Sequence, residues 1–197
     1  MRRLAPAVVL VVLALTACTT TSSGDSTTPD TGSQLPVDLL HDTNAANKAI
    51  LAIEKRVGAS PARVSEILVY PEYMIVEAQD PSALDHVDRY TWRDGTVDAP
   101  EPVHLSGPQE EVDASLFSTS AVSLKNLPRI VLTAEQTLQH AKPIRIEQAR
   151  GSYIDIRRST SSELDGRITI RISVEGPRRS GTVETGSNGA ILSTSVS

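Results

Sequence analysis

TNAANKAILAIEKRVGASPARVSEILVYPEYMIVEAQD, residues 43–80, decides the fold. Ala46, Ala49, Ile50, Ile53 and Val57 recur at spacings of three and four, so one face of a helix is apolar. Thr43 or Asn44 is placed to cap its start, and Gly58 stands where a left-handed stop is expected. Lys48, Glu54, Lys55 and Arg56 are assigned to its wet side. After the break at Ser60-Pro61 the period changes to that of strands, at Val64–Tyr70 and Tyr73–Gln79. A third strand, Val87–Arg93, sets Tyr90 and Trp92 with Asp88 against Val87, Arg89, Thr91 and Arg93. Asp94-Gly95 marks a tight turn into a short strand at Thr96-Val97.

The same order returns downstream. Leu127, Ile130, Val131, Ala134, Leu138 and Ala141 mark a second apolar helix face, opened by Asn126 with Pro128 in its first turn. Strands are predicted at Ile144–Gln148, Ser152–Arg157, Arg167–Val174, Ser180–Thr185 and Ala190–Val196. The last two form a hairpin about Ser187-Asn188-Gly189. The fold class is therefore α+β, with two tandem units at 43–104 and 124–197, each one helix packed on a short antiparallel sheet. Either alone is small for a stable core. Residues 105–123 connect them, with Leu116 and the only phenylalanine, Phe117, available to pin the connector.

The N-terminal region locates the protein. Met1-Arg2-Arg3 precedes an apolar run, Leu4–Leu15, shorter than the roughly 20 residues of a membrane span and suited to a secretory leader. The run ends in Leu15-Thr16-Ala17-Cys18, which resembles the lipobox of bacterial lipoproteins. That resemblance implies transfer of a diacylglyceryl group to the Cys18 thiol and cleavage of residues 1–17. Cys18 is the only cysteine, so no internal disulfide or cysteine metal cage is available. Residues 18–42 then carry the lipid and a Ser/Thr-rich tether, with too little apolar surface at 19–34 to order itself. The expected site is the cell membrane or outer membrane, with the folded part facing the periplasm or exterior. Loss of Arg2 and Arg3 with the leader leaves 17 basic against 24 acidic residues, a charge of −7. Such a chain is unsuited to nucleic acid, and its acyl chains must anchor it without help from anionic headgroups.

The helix-then-strands order, closing on Gly181–Leu192 with the turn Asn188-Gly189-Ala190-Ile191, resembles the PepSY-like domain family. The acidic residue often seen before that turn is Thr185 or Gly186 here. The resemblance implies binding, inhibition or assembly outside the cytoplasm and no catalysis.

Candidate chemistry is sparse. Of the four histidines, His41, His86, His104 and His140, no two share a helical i, i+4 spacing. His41 lies with Asp38 and Asp42 at the approach to the first helix. Asp80, Asp85, His86 and Asp88 crowd one loop, read as a hairpin initiated by Asp80-Pro81 in preference to a calcium site. No Gly-x-Ser-x-Gly elbow or phosphate-cradling glycine loop is present, and no cofactor or metal is expected. Tyr70, Tyr73, Tyr90 and Trp92 are four of the six aromatic residues. They form either a partner-binding patch or the core of the first unit. Arg178-Arg179 is a basic loop on an acidic chain. A membrane-anchored binding, inhibitory or assembly module, with an envelope protein as partner, is the expected function. The alternative is an envelope hydrolase whose site forms between the units, with Asp85, His86 or Asp88 contributing.

Overall fold

The computed structural model describes residues 37–159, 164 and 166–197. Cys18, the leader and residues 19–36 of the tether lie outside them. Among the described residues the order is α1 (Ala45–Val57), β1 (Arg63–Val69), β2 (Tyr73–Asp80), β3 (Ala83–Arg93), β4 (Thr96–Val97) and β5 (Glu101–Pro102). Then come α2 (Gln109–Ser115), β6 (Phe117–Ser118), α3 (Leu127–Gln139), β7 (Arg150–Arg158), β8 (Ile168–Glu175), β9 (Ser180–Gly186) and β10 (Ile191–Val196).

All strands enter one ten-stranded sheet, β10-β9-β8-β7-β1-β2-β3-β4, with β5 on β3 and β6 on β1. Each half brings a helix followed by antiparallel strands, as its sequence pattern indicates. Two separate units are nevertheless not what the chain builds. The first strands of the halves pair with each other, so that Ile67 faces Ile156 and Val69 faces Ile154. The physical reason is edge exposure. A small unit ending on the apolar strand β1 would leave open backbone groups and a thin core, and β7 satisfies both.

Alternation sends one set of side chains from β1, β2, β3, β7, β8 and β9 toward the helices. Val64, Ile67, Val69, Met74, Val76 and Ala78 from the first half join Ile154, Ile156, Ile170, Ile172, Val174 and Val183 from the second. Against them α1 lays Ala46, Ala49, Ile50, Ile53 and Val57, and α3 lays Leu127, Ile130, Val131, Ala134 and Leu138, all in one continuous core.

Several local expectations are corrected. Packing begins ahead of Thr43, inside the stretch assigned to the tether: Leu39 and Leu40 are fully buried, and the Leu39 N–H donates to the Pro71 carbonyl at 2.7 Å. The start of α1 is held by Asp42, not by Thr43 or the Asn44 side chain; Asp42 Oδ1 accepts the N–H groups of Asn44 at 2.8 Å and Ala45 at 3.3 Å. Gly58 does end the helix, at φ 86°. Ile144–Gln148 is a loop, not a strand. Ile146 plugs the core from it, and its N–H returns to the Leu138 carbonyl at 3.0 Å. The loop presses on β8's exit: a Cβ on Gly176 would come 2.4 Å from the Glu147 carbonyl. Glu54, assigned to the wet side of α1, is buried.

The connector is structural. Phe117 and Ser118 pair with Val64 and Arg63 of β1. Phe117, Val122 and Leu124 enter the common core. Arg158 Nε donates to the Leu116 carbonyl at 3.0 Å. One segment thus ties α1, β1 and β7 together.

Candidate binding face

The helices cover one side of the sheet. The other side carries the alternate side chains, and the strand register sorts them into three rows. The first runs Arg93, Tyr73, Tyr70, Tyr153, Ser173, Thr182 and Ser195. The second runs Thr91, Ile75, Leu68, Asp155, Arg171, Glu184 and Ser193. The third runs Arg89, Glu77, Glu66, Arg157 and Thr169.

The first row holds a stack of tyrosines. Tyr70 and Tyr73 flank the tight Pro71-Glu72 connection and lie ring on ring, with centroids 4.4 Å apart and planes 13° from parallel. Tyr153 of β7 extends the stack on Tyr70's other side, 5.5 Å away and 21° off. The Arg93 guanidinium sits 4.8 Å from the Tyr73 ring centroid, a cation–π contact at the end of the row. Burial, chiefly, raises the Tyr70 hydroxyl above its ordinary pKa, helped by Tyr73 and Tyr153 and by its hydrogen bond with Tyr73. The phenol is therefore neutral at physiological pH and remains a donor. Ile75 and Leu68 lie beside the stack, half-buried.

Below it is a network of opposite charges. Arg89 Nη2 donates to Glu77 Oε1 at 2.8 Å. Arg157 grips Asp155, its Nε lying 2.9 Å from each carboxylate oxygen, and its Nη2 also stands 3.6 Å from Glu66 Oε1. Asp155, Arg157, Arg171 and Glu184 line a shallow depression of about 170 Å³. The network crosses the β1–β7 seam, so both halves of the chain build this face.

Glu66 is strained within it. Burial first, then the Asp155 carboxylate, push it above the ordinary carboxylate range, against the downward pull of Arg157. A raised folded pKa means that the folded chain holds this proton more tightly than the unfolded one. The stability involved is present below the unfolded pKa and is lost as pH rises through the folded value. Glu66→Gln is thus expected to raise the urea midpoint at pH 7 and to bring no gain at pH 3. An equal gain at both pH values would contradict this account.

The sequence-selected aromatics divide. Tyr90 and Trp92 are 5% and 6% exposed and belong to the core under α1. Tyr70 and Tyr73 lie on the open face. Sequence reasoning missed their companions Tyr153, Ile75, Leu68 and Arg93. Alternation shows that each half has a second face, but not that β1 and β7 are neighbours, and only that pairing brings Tyr153 to Tyr70.

The polar clusters sort differently. His41 is a clamp: its Nδ1 lies 2.9 Å from Asp38 Oδ2 and its Nε2 lies 3.0 Å from Glu135 Oε1. The same Glu135 oxygen accepts the Gly151 N–H at 2.8 Å. His41 therefore fastens the chain's entry to α3 and β7. Asp80 caps a turn, with Oδ1 accepting both the N–H and the hydroxyl of Ser82 at 2.7 Å. His86 has a side chain 66% exposed, with Asp85 4.0 Å away. It shares a shallow depression with Asp88 and His104. Arg178 and Arg179 line another with Arg145 and Glu147. Among the described residues no three His, Cys, Asp or Glu side chains are grouped to hold a metal. Nor, among them, is any helix long and apolar enough to cross a membrane.

No family model matches the chain, and no curated protein matches it in sequence. A solved structure does match in fold: the crystal structure of a protein from Clostridium difficile 630 described as a "putative lipoprotein". The TM-score is 0.54, over 84% of this chain and 97% of that one, at 8% sequence identity. At that identity the likeness is one of fold.

Proposed function

We propose that the protein is a lipid-anchored bacterial envelope lipoprotein acting as a non-catalytic binding module, and that its open sheet face holds an envelope protein. The observation that carries this reading is the Tyr73–Tyr70–Tyr153 row with Arg93, Ile75 and Leu68 beside it. Tyrosine and arginine supply large contact area and directed hydrogen bonds, and they dominate protein–protein hot spots. Stacking fixes these rings before a partner arrives, which lowers the ordering cost of binding. The helix-and-strands order of each half is consistent with two PepSY-like units fused through their first strands.

Anchoring rests on the lipobox Leu15-Thr16-Ala17-Cys18, and the fold likeness to a protein described as a lipoprotein is in keeping with it. Cys18→Ser is expected to move the protein from the membrane fraction to the soluble fraction of disrupted cells, read by immunoblot. Retention in the membrane at wild-type level contradicts the lipid assignment.

The binding reading is tested by cross-linking intact cells and comparing wild type with Tyr70→Ala/Tyr73→Ala. Loss of two central hot-spot residues is expected to weaken capture of a partner at least tenfold, at about 2 kcal/mol or more per hot-spot residue. Equal capture by both proteins, with the variant's fold retained by circular dichroism, overturns it.

A further inference from the structure

The two ends of the sheet are unlike. At the β4 end the last strand has two residues, β5 is equally short and contains Pro102, and Pro100 lies between them. Short edge strands and prolines are what proteins use to stop another chain from pairing there. At the other end β10 runs for six residues, Ile191–Val196, and among the described residues pairs with β9 alone. Its sequence, ILSTSV, has no charge and no proline, and Ile191 and Leu192 are each 43% exposed. The ladder with β9 has one irregularity, between Ile191 and Ser193, and from Ser193 to Val196 the edge is regular and bears neither charge nor proline.

We infer that β10 is the dimer interface of this protein, pairing antiparallel with β10 of a second copy to make one continuous sheet. The backbone phase fixes the register. Ser197 and Ser180 exchange both their N–H···O bonds, at 2.9 and 3.4 Å. Hydrogen-bonded and non-bonded pairs alternate along an antiparallel ladder. Ser195 and Ser193 therefore face Thr182 and Glu184 as bonded pairs, while Thr194 and Val196 direct their N–H and C=O groups outward. A two-fold axis through Thr194 makes Thr194 of the two copies a hydrogen-bonded pair. It also sets Ser193 opposite Ser195, which lie on the same face, as opposed residues must.

The lack of charge selects a second copy over a foreign strand. In an isologous contact the charges of a strand meet those of its own copy, so a self-pairing edge is best neutral. β10 is neutral, and its Ser and Thr side chains supply small cross-strand hydroxyl contacts and no pocket for a partner's side chain. The blocked β4 end also matters. With one free edge among the described residues, association closes at two copies and does not run on into a fibre.

One strand pair buries less than the roughly 1,200 Å² of a standard interface, so the dimer is expected at micromolar concentrations and above. The experiment uses the full chain with Cys18→Ser, which leaves no native thiol. Sedimentation velocity from 1 to 500 μM is expected to show conversion from monomer to dimer. Thr194→Lys, which sets two ammonium groups against each other, is expected to raise the dissociation constant at least tenfold. Independently, Thr194→Cys should form a disulfide dimer under mild oxidation, because paired Cα atoms about 5.5 Å apart suit a disulfide. Glu110→Cys, on exposed α2, should not. A monomer throughout the range, a dimer indifferent to Thr194→Lys, or equal cross-linking at both positions overturns the inference.

Discussion

Ile67→Ala is expected to cost about 2–5 kcal/mol, the range for truncating a fully buried aliphatic side chain, and to lower the stability of both halves together. Ile67 is fully buried at the middle of β1. It faces Val76 of β2 on one side and Ile156 of β7 on the other. Both neighbours are pinned by ladder hydrogen bonds, so the space left by three carbons has little room to collapse, and the cost belongs in the upper part of that range. Chemical unfolding distinguishes one fold from two. Trp92 is the only tryptophan and lies in the first half, so its fluorescence follows that half, whereas far-ultraviolet circular dichroism follows all the strands. In a single cooperative unit the two transitions coincide in wild type and in Ile67→Ala, both displaced to lower urea. A variant whose fluorescence transition moved while part of the dichroism transition stayed behind would show that the halves unfold separately in spite of their shared sheet.

That seam also marks where sequence reading stops. The helix faces at Ala46–Val57 and Leu127–Leu138, and most of the strands, follow from periodicity, because each needs only its own side chains to declare which way it faces. The turn at Asp94-Gly95 is equally local; both residues take positive φ, 51° and 83°. The pairing of β1 with β7 is not local. Nothing in the 63–69 or 150–158 stretches states which strand will lie beside them, so the alternation that revealed each half could not join them. The binding face suffers for the same reason, since Tyr153 becomes Tyr70's neighbour only through that register. Leu39 and Leu40 are fully buried, but two apolar residues show no period, so nothing local separates them from the tether. Ile144 and Ile146 alternate as in a strand, but only Ile146 is buried, as a plug over the end of α3.

Glu54→Ala is expected to destabilise the fold by roughly 3 kcal/mol, on the scale of about 1.5–3 kcal/mol for a buried hydrogen bond to a charged group. Glu54 is buried on α1, although its place in the helix pattern suggests the wet side. Its carboxylate is occupied from two directions. The Ser60 hydroxyl donates to Oε2 at 2.6 Å from the turn after the helix, and the Thr119 hydroxyl donates to Oε1 from the connector. Thr119 Oγ1 in turn accepts the Ala62 N–H at 3.2 Å, so a single carboxylate holds α1, the entry to β1 and the connector in place. Alanine leaves both hydroxyl donors without their acceptor. Glu54→Gln keeps an acceptor oxygen for Thr119 and is expected to lose less than half as much. Thr119→Val removes one donor at nearly constant volume. Since both residues act in one network, the double variant Glu54→Ala/Thr119→Val should lose clearly less than the two single losses combined. Additive losses in urea unfolding would mean that the carboxylate and the connector hydroxyl stabilise the fold independently.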